Sequence, residues 1–470
     1  MGTQLTRCSQ DNVSEATAAC LGDDSGRRYY AACNRPQHSA ECLGRLAMAG
    51  FPEQSRSLRA FAPALILLAL SFLINYVDRG NLSIASPLLT IELQLPPAKL
   101  GILLSAFFWT YTVMQFFMGW LVDHYDVNRI LAAGFLLWSL ATATTGLMRG
   151  FVLLFVMRLI LGIGESVALP AGSKILARCL PEHYRGFASG ALMSALRIGN
   201  ALGTFGAGFL MVKYGWRPVF IGVGLVSLLW LPAWFKWMPR DSLPVRSAAQ
   251  SCLNTLDIFT QRSFWGTTLG HFSCNYLFYF MITWLPGYLA LGRHLSMSTM
   301  IKVAGLYYSV DAVSAMFGGW LQDFYIRRGH SCTVVRKTAM GIAFSLGAIG
   351  VMGCALAGAQ TYLQWLMLAG VGCGLSAPGI YAFCQRIAGS DSVGRWYGPQ
   401  NGFANFAGII CPALTGWVVG RTGNFFWPFA VTSAICVIGV FAWVFVVGRV
   451  EPLNWGAERS STVVTAGVSS

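Results

Sequence analysis

The chain has 470 residues, of which 55% are hydrophobic and only 11% are charged, with a formal net charge of +14. Soluble globular domains carry about 25% charged residues, so a chain this long and this poor in charge cannot bury its apolar side chains in soluble cores. The composition therefore excludes an ordinary soluble protein. The positive charge is better explained by basic cytoplasmic loops of a membrane protein than by nucleic-acid binding.

Residues 1–60 are polar, mixed in charge and without apolar periodicity. They lack the apolar core of a signal peptide, so we expect a disordered cytosolic tail. Met1 and Met48 are both compatible with this organisation as start residues. The 13 cysteines lack the spacing of metal ligands, and we therefore expect free thiols, no metal and no cofactor.

Continuous apolar runs recur after residue 60, and about 20 such residues are enough to cross a bilayer as a helix. Outer-membrane barrels instead show segments of roughly 10 residues with alternating polarity. The runs predict an all-α integral membrane protein with twelve transmembrane helices. The predicted spans are 61–89, 100–122, 129–147, 151–179, 186–212, 217–238, 265–291, 301–322, 338–357, 361–389, 399–420 and 427–449.

The longest gap between spans, residues 239–264, contains the polar stretch "PRDSLPVRSAAQS" and is typical of a linker. It divides the chain into an N-terminal six-helix bundle at 61–238 and a C-terminal six-helix bundle at 265–449. Residues 450–470 are polar, and we expect a second cytosolic tail there.

A short motif recurs at equivalent places in the two halves. "MGWLVDHY" at 118–125 follows the second span, and "GGWLQDFY" at 318–325 follows the eighth. The identities are Gly119, Trp120, Leu121, Asp123 and Tyr125 with Gly319, Trp320, Leu321, Asp323 and Tyr325. Repeated halves around a central site are typical of secondary transporters. A shared interfacial Trp anchor would explain the tryptophans but not the aspartates.

Lys and Arg residues are unevenly divided between the loops. Loops that follow even-numbered spans hold twice as many of them as loops that follow odd-numbered spans. An excess of basic residues marks the cytoplasmic side of a membrane protein. We therefore expect a multi-pass protein of the plasma (inner) membrane with both termini in the cytoplasm.

Two adjacent charges, Asp78 and Arg79, interrupt the first span. A charge at the bilayer centre costs about 2.5–3.5 kcal/mol on insertion scales, so such residues face a cavity or a partner. The planar guanidinium of Arg79 suits a carboxylate, and burial favours the protonated form of an aspartate. The pair predicts an anion anchor at Arg79 and a proton site at Asp78. A structural ion pair with another helix is the alternative.

Four more charged residues within predicted spans are candidates for the transport machinery. Arg158 and Glu165 are seven residues apart, on one helix face and roughly 10 Å apart along the axis, too far for direct contact unless both side chains extend. Either they act in transport or they form an ordinary salt bridge. Arg197 is either a second substrate anchor or a partner of Asp311 or Glu165. For Asp311, structural pairing and a role in transport both stay open.

The repeated motif, with Arg129 and Arg327 after its two copies, resembles the loop signature of the major facilitator superfamily. Within that superfamily, "NYVDRGNLSIAS", "RLILGIGES", "PEHYRGFASG", "TWLPGYL" and "NFAG" resemble the anion:cation symporter family, which includes galactonate, glucarate, hexuronate and sialin-type carriers. The resemblance covers residues 61–449. The family usually has Gly and a basic residue where this chain has Asp126 and Asn128.

The resemblance implies roles for the singled-out residues. Asp78, Arg158 and Glu165 would couple transport to protons, with Arg158 modulating Glu165. Gly119, Asp123, Arg129, Gly319, Asp323 and Arg327 would form a gating motif that latches the inward side. Polyol-bearing acids need hydroxyl partners and aromatic walls. Beside Arg79 and Arg197, the candidates in apolar spans are Tyr76, Tyr111, Asn275, Tyr276, Tyr279, Ser376, Gln385, Asn401 and Asn405. Each of these could instead be a helix-packing contact.

The sequence thus predicts a secondary active transporter that moves an organic anion such as a sugar acid (a hexonate or hexuronate) together with protons by alternating access. Transport of another carboxylate, such as an aromatic acid, and facilitation without proton coupling are the alternatives. A non-transporting sensor would need an attached signalling domain. The sequence has no nucleophile elbow, P-loop or metal cluster, so we expect neither an enzyme nor an ATP-driven pump. The expected partners are the anion, protons and the lipid bilayer, with the protein a monomer.

Overall fold

A computed structural model describes residues 39–179, 182–238, 255–389 and 393–453. The chain divides into two compact units, Met1–Ala62 and Pro63–Ser470. In the first unit, residues 39–62 have helical backbone, although the sequence assigns 39–60 to a disordered tail. Frequent Ala, Leu, Arg and Glu residues favour a helix there. The prediction for residues 1–38 lies outside the described residues, and everything below concerns the second unit.

The first half contains six membrane helices, α1 to α6. α1 is the span Ala62–Glu92 of the helix Ser39–Glu92. The others are α2 (Pro97–His124), α3 (Val127–Thr145), α4 (Phe151–Glu165 and Ala168–Cys179), α5 (Glu182–Tyr214) and α6 (Trp216–Ser227 and Trp230–Trp237). Trp230 of α6 donates a hydrogen bond to the carbonyl of Leu67 in α1 (2.7 Å), which joins the two ends of this bundle.

The second half begins with a short helix, Thr255–Phe259, and continues with six membrane helices. These are α7 (Arg262–Gly287, extended by a π-helical turn Tyr288–Gly292), α8 (Met297–Arg327), α9 (Cys332–Leu356), α10 (Tyr362–Ala388), α11 (Val393–Thr422) and α12 (Phe426–Phe441, extended by Ala442–Val446). The described residues contain helices and loops but no β-strand. Residues 239–254 of the predicted linker and 454–470 of the C-terminal tail lie outside the described part of the chain.

Ten of the twelve helices are both long enough and apolar enough to cross a membrane. α7 and α8, with 26 and 31 residues, are long enough but carry more polar side chains. Those side chains face protein: His271, Asp311 and Ser314, for example, are buried. Because these polar side chains pack against neighbouring helices, they do not contact lipid, and the helices can still cross the membrane. The predicted twelve-helix, two-half fold is confirmed.

The two halves meet along α2 with α11 and along α5 with α8, and α1 also contacts α7. Glycines allow the closest approach. A Cβ atom on Gly101 of α2 would lie 2.5 Å from the carbonyl oxygen of Pro412 and 2.9 Å from Cα of Gly416, both in α11. Between α5 and α8, a Cβ atom on Gly208 would lie 2.9 Å from the side chain of Ile301. Small residues at such crossings let backbones pack directly, as in many membrane bundles.

The repeated motif occupies matching places in the two halves. Trp120 of α2 and Trp320 of α8 are 57% and 53% exposed on the outer surface of the bundle. Each indole stacks on an aromatic side chain four residues later, His124 (4.6 Å) and Phe324 (5.4 Å) respectively. The repeat therefore reproduces one local structure at the ends of two corresponding helices.

The α2–α11 crossing should be sensitive to a single methyl group. In Gly101→Ala the new Cβ has no room beside Pro412 and Gly416, so the helices must separate and packing is lost. We expect a lower midpoint temperature of unfolding for the detergent-solubilised protein. The matched control is Gly206→Ala in α5, where a Cβ meets nothing within 4 Å. Equal midpoints for the two variants would contradict this account of the crossing.

Candidate functional site

Four charged side chains of the first half lie buried together between α1 and α4. Asp78 and Arg79 are 1% and 5% exposed, and Arg158 and Glu165 are 4% and 1% exposed. Because consecutive helix residues point about 100° apart, Asp78 and Arg79 have different neighbours. Glu165 is the last residue of the first segment of α4, and Arg158 lies two turns before it.

Arg79 and Glu165 form a buried ion pair. The Nε and Nη2 atoms of Arg79 both donate to Oε2 of Glu165, at 3.2 and 3.1 Å. The other carboxylate oxygen, Oε1, is buried without a hydrogen-bond partner. The anion anchor and the proton-coupling carboxylate predicted from the sequence are thus in direct contact. The guanidinium is already holding a carboxylate, which is the chemistry predicted for its substrate.

Aromatic rings enclose the Arg79 guanidinium. Its central carbon lies 4.6 Å from the ring centre of Tyr76, 4.8 Å from that of Phe107 and 4.7 Å from that of Tyr111. Arg79 also donates to the hydroxyl of Tyr76 and to Oδ1 of Asn75, both at 3.4 Å. Cation–π contacts at these distances hold a guanidinium in place while keeping water away from it. Tyr76 and Tyr111, predicted as substrate-binding residues, therefore lie at the anchor.

Asp78 has a different environment. Both of its carboxylate oxygens are buried without a hydrogen-bond partner. Glu165 and Arg158 are its charged neighbours, and the Thr142 hydroxyl of α3, which has no partner within hydrogen-bond distance, is the group placed to donate to it. An ionised carboxylate buried in this way is strongly unfavourable, whereas a neutral one is tolerated. The geometry suits a group that exchanges a proton.

Arg158 forms no hydrogen bond or ion pair with any described residue. Its guanidinium lies 5.3 Å from the ring centre of Phe107, the ring that also covers Arg79, and its Nε is unpaired. Among the described side chains, Arg158 and Glu165 form no direct ion pair, as their spacing of seven residues predicts. Arg158 still contributes positive charge near both Glu165 and Asp78.

Arg197 pairs with Asp311 across the two halves. The Nη1 atom of Arg197 in α5 contacts Oδ2 of Asp311 in α8. The guanidinium also lies 4.8 Å from the ring centre of Phe278 in α7. Of the alternatives left open by the sequence, pairing with Asp311 is the one seen in the structure. Oδ1 of Asp311 has no hydrogen-bond partner.

Most of the predicted substrate-binding residues of the second half form hydrogen bonds within that half. Asn405 accepts from the Tyr279 hydroxyl (2.6 Å) and donates to the carbonyl of Asn401 (2.7 Å). Ser376 donates to the carbonyl of Cys373 (2.7 Å) and lies 3.1 Å from the sulfur of Cys274. Asn275 is half-buried on α7, and Gln385 is exposed. The side chain of Asn401 accepts from the Tyr397 hydroxyl, and Tyr276 is buried beside Cys411.

The gating residues lie near the ends of α2 and α8, except Arg129, which lies in the first turn of α3. Arg129 pairs with Asp126 (3.3 Å), which also caps α3 by accepting from the backbone amides of Asn128 and Arg129. The unusual Asp126 is thus explained as a helix N-cap. Gly119 and Gly319 lie within α2 and α8, and the side chain of Asp123 lies outside the described residues.

In the second half, the hydrogen bond of Arg327 to a described residue goes to the backbone carbonyl of Asp323 (3.2 Å) and not to its carboxylate. The charge of the Asp323 carboxylate acts instead on Arg336, a residue of α9 that the sequence analysis did not single out. The structure also places Phe107, Asn75 and Thr142 beside the buried charges, although the sequence did not indicate them. Asn75 lies one helical turn before Arg79, a spacing that could have indicated it, whereas nothing distinguishes Phe107 from other apolar residues.

Seven cysteines in the described residues are free thiols, in agreement with the prediction. They are Cys274, Cys332, Cys354, Cys373, Cys384, Cys411 and Cys436. No group of three or more His, Cys, Asp or Glu side chains able to hold a metal ion occurs in the described part of the chain.

Known proteins resemble this chain over most of its length. Residues 68–330 and 303–466 match the family model described as Major Facilitator Superfamily. A hexuronate transporter of Bacillus subtilis is 29% identical over 83% of this chain and 95% of its own length. A probable sulfoacetate transporter of Cupriavidus necator is 29% identical over 81% of this chain and 92% of its own length.

Among solved structures, an inward-facing, occupied bacterial homologue of the human lysosomal transporter Spinster superposes with a TM-score of 0.68. It covers 82% of this chain and 96% of its own, at 17% sequence identity. At that identity the likeness concerns the fold alone.

The Arg197–Asp311 pair should behave as a coupled unit. Arg197→Met or Asp311→Leu alone leaves an uncompensated buried charge, which costs about 3–5 kcal/mol, whereas replacing both is close to neutral. We expect each single variant to lower the midpoint of thermal unfolding and the double variant to recover most of the loss. A double variant whose loss equals the sum of the two single losses would show that the residues do not interact.

Proposed function

Because the chain belongs to the major facilitator superfamily, we propose that it is a secondary active transporter that takes up an organic anion together with protons. Two six-helix halves would rock about a midplane site and expose it to each side of the membrane in turn. The sequence similarity to a hexuronate transporter supports a sugar acid as the substrate class. The similarity to a probable sulfoacetate transporter supports a smaller carboxylate as the alternative substrate.

The observation that carries this proposal is the buried contact between Arg79 and Glu165. The same guanidinium atoms that would hold a substrate carboxylate, Nε and Nη2, are occupied by Oε2 of Glu165. A substrate anion and an ionised Glu165 therefore compete for one cation. Protonation of Glu165 removes its charge and weakens its hold on Arg79. Proton uptake would thus favour binding of the anion.

Asp78 and Arg158 would tune this exchange. Asp78 has two unpaired buried oxygens, so it carries a proton at lower cost than a charge. Arg158 lies near both carboxylates without pairing to either, and its charge would favour the return of Glu165 to the ionised form. After release of the anion and proton, Glu165 would bind Arg79 again and reset the carrier.

Contacts between the halves would open and close with the transport cycle. Ser83 of α1 donates to the carbonyl of Thr283 in α7 (2.7 Å), and Arg197 contacts Asp311. By the distribution of basic loops, Ser83 and Thr283 would lie toward the outer face, so this conformation would be closed there. The motif containing Asp323 would latch the opposite side. We propose a monomer in the plasma (inner) membrane with both termini in the cytoplasm.

Arg79→Ala should abolish uptake because no cation then faces the substrate carboxylate at this place. Reconstituted protein would be assayed for uptake of labelled D-glucuronate under an inward proton gradient. Arg421→Ala, at an exposed position near the end of α11, is the matched control. We expect loss of at least about tenfold in uptake for the first variant, about 1.4 kcal/mol or more of binding or activation free energy. Strong accumulation by Arg79→Ala would refute the anchor role.

Glu165→Gln should separate binding from proton coupling. The amide cannot take up or release a proton, yet it still fills the space beside Arg79. We expect exchange of internal for external substrate to persist, while acceleration by an inward proton gradient (acidic outside) disappears. Rates of both processes would be compared in the same proteoliposomes. If the variant still responds to the gradient as the unmodified protein does, Glu165 is not the coupling group; if the unmodified protein does not respond, the carrier is a facilitator.

A further inference from the structure

The pair between Arg197 and Asp311 repeats the arrangement of the pair between Arg79 and Glu165. In each, an arginine of the first half holds one oxygen of a buried carboxylate. The second oxygen, Oε1 of Glu165 or Oδ1 of Asp311, has no hydrogen-bond partner. An aromatic ring also covers each guanidinium, and for Arg197 it is the ring of Phe278, at 4.8 Å. The bundle therefore contains two arginine–carboxylate pairs of one kind.

Arg197 keeps hydrogen-bond donors that Asp311 does not use. A guanidinium has five N–H donors, and among the described residues Arg197 forms its hydrogen bond through Nη1, to Asp311. The side chain of Arg197 is 17% exposed, against 3% for Arg79. Its guanidinium lies between α5 and the helices α7 and α8 of the other half, so this exposed surface belongs to the space between the halves. A purely structural pair at this depth would satisfy both partners, because unmet hydrogen bonds are costly when buried.

A short path of contacts joins the two arginines. The central carbon of Arg79 lies 4.6 Å from the ring centre of Tyr76, and the rings of Tyr76 and Phe278 lie 6.3 Å apart. Phe278 in turn lies 4.8 Å from the central carbon of Arg197. The step from Tyr76 to Phe278 crosses from α1 to α7, so the path passes between the halves. The two guanidinium groups are no further apart than this path, a length comparable to a six-carbon diacid with a charge-assisted hydrogen bond at each end.

We infer that Arg197 is a second anion-binding subsite, with Asp311 in the place of the ligand, and that the carrier prefers acids with two negative groups. One group would replace Glu165 on Arg79, and the other would replace Asp311 on Arg197. The second group is a carboxylate or a similar oxyanion, because the donors of a guanidinium match such groups. This inference rests on the proposed function and narrows its substrate class.

Asp311 would act at this subsite as a built-in competitor. Once displaced, it would be neutral, as proposed for Glu165, because an unpaired buried carboxylate is unfavourable. A substrate with one negative group would leave Asp311 on Arg197 and gain nothing there. A substrate with two would contact Arg79 and Arg197 together and would also touch both halves of the carrier, since the ring of Phe278 lies beside the second group.

The test compares two open-chain acids that differ in one end group. D-Glucarate carries a carboxylate at each end of its six-carbon chain, whereas D-gluconate carries one carboxylate and one hydroxymethyl group. Uptake of each labelled acid would be measured in proteoliposomes containing the full chain. We expect an apparent KM for glucarate about tenfold below that for gluconate, a ratio equivalent to ~1.4 kcal/mol. Acceleration of gluconate uptake by added acetate would mean that a separate anion fills the subsite, and would overturn the assignment of both groups to one substrate.

Two substitutions should change this preference in opposite directions. Arg197→Gln removes the second cation, so the ratio of the two KM values should approach one. Asp311→Asn keeps the shape of the competitor but removes its charge, so the KM for glucarate should fall about threefold relative to that for gluconate. A gain in affinity for one acid is not expected from loss of a structural ion pair. Arg421→Gln, at an exposed arginine near the end of α11, controls for a general effect of lost charge.

Three results would overturn the inference: equal KM values for the two acids in the unmodified protein, an unchanged ratio in Arg197→Gln, or weaker binding of glucarate in Asp311→Asn. Each variant would be assayed below its own midpoint of thermal unfolding, so that only folded protein is compared. Failure of the unmodified protein to transport glucarate, gluconate or glucuronate would defeat the proposed function itself. Transport with no preference for a second negative group would defeat only the subsite.

Discussion

The ion pair between Arg79 and Glu165 is the interaction on which the arrangement of the site depends. Neither charge is stable alone at this depth, because water is excluded and the bilayer offers no counter-charge. Their contact fixes α1 against α4, and Tyr76, Phe107 and Tyr111 close around the guanidinium from α1 and α2. In the proposed cycle, a carboxylate from outside the protein would replace the one already present, so binding and protonation would become a single exchange.

The second half forms the other side of the candidate site, and hydrogen bonds rather than ion pairs hold most of its polar side chains. Its polar side chains are largely bonded to one another, as Asn405 is to Tyr279 and Gln400 is to Trp396. Satisfied polar groups of this kind hold helices at fixed positions. The cations Arg79, Arg158 and Arg197 all belong to the first half, whereas the second half contributes the carboxylate of Asp311.

Much of the fold and part of the site follow from the sequence. Long apolar runs predict the helices because lipid tolerates little else, and charges inside those runs identify Asp78, Arg79, Arg158 and Glu165 because each must face a partner or a cavity. The choice of partner is not predictable in this way, since it depends on how each helix is rotated and how far a side chain reaches. Glu165 lies on Arg79 rather than Arg158, and Arg197 lies on Asp311. Phe107 carries no charge and stands in an ordinary apolar run, so only packing identifies it.

The balance of buried charge has a consequence for the electrical behaviour of the carrier. Three arginines, at positions 79, 158 and 197, lie with three carboxylates, at positions 78, 165 and 311. When all are ionised their charges sum to zero, and moving a neutral body through the membrane field does no electrical work, whereas each uncompensated charge would contribute about 2.3 kcal/mol per 100 mV. In that state the return of the empty carrier would be insensitive to voltage. If Asp78 instead keeps its proton, as proposed above, one net positive charge would return with the empty carrier and the membrane potential would act on that step.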